Sequence, residues 1–381
     1  MSHSHDDVYD RQIRLWGADA QASSSIMRIF KRMSNARVLY INLTGVTCEM
    51  MKNLVLAGVA AVVCDPRPYP DAVREVPSSF FKASSMEAII ASRRNSSNNN
   101  GEEEQQSKKV KLLNTVAEAV APEIDELNPL LIGRNSVEER PIALLPEEYF
   151  GQFDAVVASR LSVDEVKRIS LAIENYHSGK KEYGDGGEDE DNNTLFIVTD
   201  TFGLDGCAHL DFGASHRYRR ELGKDKLSDP TKIEPYVSLA KMMEVPLAQA
   251  TGRWDKIPPR ILVLQRLLMD YWNESNKTTI SNNDEANARE RFVVFAKKWM
   301  DSNKITSASL DIEGVPMNLK RLAAIALHPE VSPTAAVLGG VLGNEVIKSL
   351  TRKGEPSNNV LMFSGLDGGC RSFVLCPAEN A

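Results

Sequence analysis

The chain has 381 residues, with 45 Lys+Arg against 52 Asp+Glu and a formal net charge of −7. Apolar residues make up 42% and charged residues 25%, a globular balance that excludes global disorder and a length that allows about two domains. The acidic surplus excludes bulk nucleic-acid binding, because neutralising phosphates needs a basic surface.

Met1 to Tyr9 is polar and lacks an apolar signal core, so His3 and His5 read as part of a polar tail rather than a metal site. No run of 18 apolar residues occurs, so no membrane span is predicted. The cysteines, Cys48, Cys64, Cys207, Cys370 and Cys376, are odd in number, scattered and without CxxC. They predict neither a disulfide framework nor an all-cysteine zinc site, and fit a reduced intracellular compartment.

Residues 20–35 predict a helix with Ile26, Ile29, Phe30 and Met33 on one side. Residues 36–42 read as a buried parallel strand. A helix over 48–57 follows, with Met50, Met51 and Leu54 inward and Gly58 just past its end. Residues 60–64 form the second strand, ending at Asp65. This βαβ unit opens a parallel sheet. Further strands are predicted at 130–133, 155–158 and 195–200, with a helix at 163–176 and a hairpin region at 207–212. The alternation argues α/β. Helical spacing dominates 236–250, 259–272, 284–299 and 318–326; Leu264, Leu267, Leu268, Tyr271 and Trp272 make one apolar stripe, read as core. A helix at 333–350 carries Gly339, Gly340 and Gly343, expected to permit close packing. Residues 360–364 and 372–375 read as closing strands.

Two stretches are too polar to pack a core: 92–111, rich in Ser, Asn, Glu and Lys, and 178–193, with six acids among glycines. The run Lys108-Lys109-Val110-Lys111 is a weak nuclear-import pattern. The expected organisation is therefore an α/β domain over 1–227 plus 330–381, with flexible loops at 92–111 and 178–193, and a helical insert over 228–329.

The turn after the first strand carries the functional information. A nucleotide loop there needs one glycine for the tight turn, one for backbone approach to phosphate and one for helix packing. The chain instead offers Asn42, Thr44 and Thr47, with only Gly45 among them. Side chains stand where backbone should meet phosphate. Asp65 is placed either to bind a ribose or to cap a turn. The first strand and its turn therefore read as a Rossmann-like half with a degenerate nucleotide loop, which argues against an NAD oxidoreductase. Cys207 and His209 share a strand face, but no third activating group is identifiable, and a buried structural cysteine is the expectation.

The segment Tyr9-Asp10-Arg11-Gln12-Ile13-Arg14-Leu15-Trp16-Gly17 resembles the N-terminal signature of the non-adenylating half of the ubiquitin-like-protein activating enzymes (E1). Residues 51–59 (MKNLVLAGV), 127–129 (LNP), 152–157 (QFDAVV), 200–206 (DTFGLDG), 333–350 and 358–363 resemble further family segments, in the order found in its SUMO-specific small subunits. The resemblance covers 9–227 and 330–381 and is weak in the insert and loops.

It implies an E1/MoeB-type adenylation fold in its inactive form, and a regulatory subunit that is non-catalytic except within an obligate heterodimer. The large partner binds ATP-Mg, adenylates SUMO, carries it as a thioester and passes it to the E2, so this chain binds no cofactor or metal of its own. The family's active half has a full Gly-rich loop, Asn-Arg-Gln-Phe after strand two, a DNxxxR segment and CxxC zinc ligands. This chain departs from each, with Pro66 to Phe81 and Ser159-Arg160-Leu161-Ser162 at two of those places. By the same resemblance Arg11 reaches across the dimer to the partner's ATP phosphates, whereas Arg14 and Trp16 are expected to be structural. A nuclear location is implied. The NEDD8-specific regulatory subunit carries the same signature, but its larger insert makes it a poorer fit. A self-sufficient adenylating or nucleotide-binding enzyme is the alternative of a different class. The apolar residues of 331–350 and the helix after Gly45 are candidates for the subunit interface.

Overall fold

The computed structural model describes residues 24–69, 76, 78, 80, 115–181, 193–223, 227–251, 257–274, 285–312, 316–327 and 330–377. In chain order the elements that position the site are α1 (Ser24–Asn35), β1 (Arg37–Ile41), α2 (Gly45–Leu56), β2 (Ala60–Cys64), α3 (Val116–Leu127), β3 (Ser136–Val137), α4 (Glu147–Phe150), β4 (Ala155–Ala158), α5 (Val163–Lys181), β5 (Leu195–Phe202) and β6 (Asp205–Asp211). A small hairpin, β7 (Arg217–Tyr218) and β8 (Thr231–Lys232), precedes α6 (Leu239–Glu244), α7 (Arg260–Glu274), α8 (Glu285–Asn303) and α9 (Leu319–Ala326). The chain closes with α10 (Ser332–Thr351), β9 (Val360–Ser364) and β10 (Gly369–Phe373).

Among the described residues eight strands form one sheet in the order β10-β9-β6-β5-β4-β1-β2-β3. The run from β5 to β3 is parallel, and β6, β9 and β10 continue it as an antiparallel meander. The central strands are apolar throughout because both faces are covered. On one face Val38, Tyr40, Val63, Val157 and Ile197 pack against α1, α2, α3 and α10. On the other, Leu39, Ile41, Val156 and Val198 pack against α5 and the helices from 239 to 326. Those later helices share the sheet's core rather than building one of their own. No described helix is long and apolar enough to cross a membrane.

Several local readings shift. Helix α2 starts at Gly45, three residues before the apolar pattern begins, because Thr44 takes an extended N-cap conformation. The apolar run 130–133 is not a strand. Asn128 accepts from the Leu130 N–H at 3.2 Å, Pro129 opens a 3-10 turn, and Leu130 and Ile132 are exposed. The strand in that region is β3. The reading at 236–250 breaks into α6 and a 3-10 turn at Leu247–Gln249, because Pro246 cannot continue a helix. The last strand lies at 369–373, three residues earlier than the apolar pattern placed it.

Candidate functional site

In a doubly wound sheet, ligands bind where neighbouring strands send their connections to opposite sides. Here that crevice lies at the C-terminal ends of β1 and β4, since β2 flanks β1 on one side and β4 on the other. The degenerate loop sits in it. Asn42 takes a left-handed φ of 58° and its Nδ2 donates to the Ser159 carbonyl at 3.0 Å, tying the two strand ends together. Asparagine tolerates this conformation better than most residues.

Thr44 and Thr47 are buried and bond each other: the Thr44 N–H donates to Thr47 Oγ1 at 2.8 Å. This reciprocal turn satisfies a backbone donor at the start of α2. The next donor, the Gly45 N–H, belongs to the first residue of α2, the kind of helix N-terminal group that an active loop presents to phosphate. It is taken by a carboxylate of the chain itself. Glu330, 285 residues away and just before α10, accepts from it through Oε2 at 2.5 Å. The other oxygen, Oε1, accepts from the Thr201 hydroxyl at 2.6 Å. A helix N-terminus favours an anion through its exposed N–H groups and dipole, and Glu330 supplies one internally. Gly45 is also tightly packed: a Cβ there would lie 3.0 Å from Ala335 Cβ and 3.1 Å from Glu330 Oε2, so these neighbours would have to give by a few tenths of an ångström.

The ribose end is filled as well. Asp65 is fully buried and accepts from the Leu43 N–H at 2.7 Å, the Arg67 N–H at 3.1 Å, Arg67 Nε at 2.9 Å and Arg67 Nη2 at 2.6 Å. Of its two readings, turn capping is the one the geometry realises. Arg67 Nη2 also donates to the Leu43 carbonyl at 2.5 Å, which closes the space between the two turns.

Across the crevice, Asp200 at the end of β5 accepts from Ser159 Oγ at 2.7 Å and from the Arg160 N–H at 2.8 Å. Burial pushes its carboxyl up to about 6. The Arg160 guanidinium lies over the Trp272 ring, 5.8 Å from its centroid, and so links this rim to α7.

The degenerate-loop residues Asn42, Thr44, Gly45 and Thr47 thus come together at the switch point. Arg11, Arg14 and Trp16 lie outside the described residues. Cys207 and His209 are fully buried in β6. Burial raises the Cys207 thiol and, with the nearby Arg266 charge, pushes the His209 imidazole down to about 3, an inert pair rather than a poised nucleophile and base. Among the described residues no group of three or more His, Cys, Asp or Glu is placed to hold a metal. The sequence reading missed Glu330, Thr201 and Arg67. Arg67 was legible as a cation two residues from a buried acid. Glu330 was not, because its partners are distant in sequence.

No family model matches the chain. Compared with curated proteins, it is 24% identical over 371 residues to SUMO-activating enzyme subunit 1 of Dictyostelium discoideum, covering 95% of this chain and 90% of that protein. Subunit 1A of Arabidopsis thaliana is 27% identical over 367 residues, with 95% and 92% covered. The Homo sapiens subunit 1 is 25% identical over 380 residues, with 94% and 92% covered.

Proposed function

The chain is a homologue of SUMO-activating enzyme subunit 1 along about 95% of its length, and from that premise we propose that it is the regulatory half of a heterodimeric SUMO-activating enzyme. The large partner binds ATP-Mg, adenylates the SUMO C-terminus and carries the thioester. One observation supports the non-catalytic role above the rest: Glu330 occupies the phosphate-facing N–H of the degenerate loop, so the chain's own carboxylate stands where ATP would place an anion. The same occupancy argues against a self-sufficient nucleotide-binding enzyme.

Arg11 is this chain's contribution to the chemistry. A guanidinium supplied in trans would stabilise charge on the ATP phosphates as the SUMO carboxylate attacks and pyrophosphate leaves. The site of action is the nucleus, a reading supported by the Lys108 to Lys111 run. The reading is tested by ATP–pyrophosphate exchange in the assembled heterodimer at saturating SUMO and ATP. Arg11→Ala should slow exchange by about a hundredfold, in the range seen for losing a phosphate-stabilising cation, with assembly retained. Unchanged exchange would remove Arg11 from the reaction. Saturable ATP binding by the purified chain alone would overturn the regulatory reading itself.

A further inference from the structure

Helix α10 has two faces of different kinds. Leu338, Leu342 and Val346 point into the core shared with α2 and the sheet, and Gly339 meets α2 directly. The opposite face carries Ala336, Val337, Gly340, Val341, Asn344 and Ile347, at the spacing of one helix side. Ala336, Val337, Gly340 and Asn344 are exposed, Val337 by 47%, and Val341 and Ile347 are half-buried. From Ser332 to Ile347 the only charged residue in the sequence is Glu345. It is buried, and accepts from Lys348 Nζ at 2.7 Å and from the Ser357 N–H at 2.9 Å. In a chain with 25% charged residues, a helix face turned to water ordinarily carries charge. Depletion of charge instead marks the centre of a protein–protein interface.

Gly340 is a second and independent sign. A glycine in a helix interior destabilises it relative to alanine, so one that persists there needs a packing reason. Gly339 has one inside the chain, but a Cβ at Gly340 would meet nothing within 4 Å. A bare backbone on the outer side of a helix lets another backbone come close. The position of this face says whose. Ile29 and Met33 of α1 share one core cluster with Leu338, Leu342 and Val346, so α1 lies beside α10. The segment that leads into α1 carries Arg11, which under the proposed function acts in the partner's site. A partner that receives Arg11 is thereby tethered near α1, and the outward face of α10 is the uncharged helix face beside it.

We propose that the outward face of α10, from Ala336 to Ile347, is a docking surface for the large catalytic subunit, with Gly340 at the closest approach. The inference rests on the regulatory-subunit reading and adds to it the surface on which the two halves meet.

The test follows dissociation of the heterodimer, the full chain with its large subunit, by mass photometry on dilution. Val337→Asp and Gly340→Leu should each weaken assembly by about tenfold, and the double variant by about a hundredfold. Val294→Asp, on the exposed side of α8, should leave assembly unchanged. In melts of the full chain without its partner, Gly340→Leu should be no less stable than wild type, because leucine favours helix and the space there is open. Raising both subunits above the new dissociation constant should restore SUMO adenylation by the double variant, since the face holds the halves together and carries no chemistry. Unchanged assembly by both variants, with wild type still pairing, would overturn the docking surface and leave the regulatory reading standing. A wild-type chain that pairs with no large subunit would overturn that reading and the surface with it. Two further results would also overturn the proposal. Lost stability of the free Gly340→Leu chain would mean that the chain covers this face itself, and self-association abolished by Gly340→Leu would assign the face to a second copy.

Discussion

Glu330 is the residue on which the degenerate site turns. Its carboxylate is held by two donors from different parts of the chain, the Gly45 N–H and the Thr201 hydroxyl. Hydrogen bonds to a charged acceptor are worth about 1.5–3 kcal/mol, roughly twice a neutral bond. Glu330→Gln should therefore cost about 1–2 kcal/mol in urea unfolding, and Thr201→Val about 1 kcal/mol. Because both substitutions break the same contact, the double variant should lose less than the sum of the two. Strict additivity would mean that the carboxylate is not shared in this way. The local half of the site was legible in the sequence: Asn42, Thr44 and Thr47 stand together at the turn after the first strand, in place of the glycines a phosphate loop needs. What fills the vacated role was not legible, because a glutamate 285 residues away carries no local pattern that marks it as a ligand.

At the scale of elements, α2 and α10 lie against each other on one face of the sheet. Both are candidate interface surfaces on sequence alone, and their buried apolar residues, Val46, Met50, Leu54, Leu338, Leu342 and Val346, fall in one shared core. The approach is set by one glycine. A Cβ at Gly339 would lie 2.7 Å from Glu49 Cβ and 2.9 Å from the Val46 carbonyl oxygen, whereas one at Gly340 would meet nothing and one at Gly343 only Asn53 Cβ at 3.9 Å. The expectation of close packing through all three therefore narrows to Gly339. Gly339→Ala should destabilise the chain by about 1–3 kcal/mol through overpacking, while Gly340→Ala, on the exposed side, should be neutral or stabilising through helix propensity. Paired thermal melts decide this, and equal effects would show that the contact is not rigid. Element type was readable wherever a long apolar period ran unbroken, as in α5, α7 and α10. It failed where a local cap overrode composition, as with Asn128 and Pro129, or where Pro246 cut a helix that the apolar spacing continued through.

For the whole molecule, acid stability is set by opposed groups buried in different parts of the fold. Burial lifts Asp200 and Asp211 from 3.8 to about 6. The native state then holds more protons than the unfolded chain between about pH 6 and 4, so these two favour folding as pH falls through that window. His216 goes the other way. Burial, then the Arg352 charge, lowers it from 6.5 to about 4, so the unfolded chain binds the extra proton and folding loses stability as pH falls below 6.5. His209 acts in the same sense, down to about 3. Replacing one histidine should unmask the carboxylates. Between pH 7 and 4.5, His216→Asn should lose about 2 kcal/mol less stability than wild type, whatever its offset at neutral pH. Parallel pH dependences of the urea midpoints would contradict the buried neutral imidazole.

The sequence by itself determined that this is an α/β chain opening on a βαβ unit, that its phosphate loop has lost its glycines, and which signature segments it shares with the E1 small subunits. These are properties of local pattern, where the residue types at fixed spacing carry the physics. Only the tertiary structure decided that the helices from 239 to 326 share the sheet's core, that Asp65 is consumed by Arg67, and that Glu330 closes the loop. The Asp65–Arg67 pair is local, but its burial depends on the fold around it; the Glu330 contact spans 285 residues, and contact at that separation leaves no periodic trace in the chain.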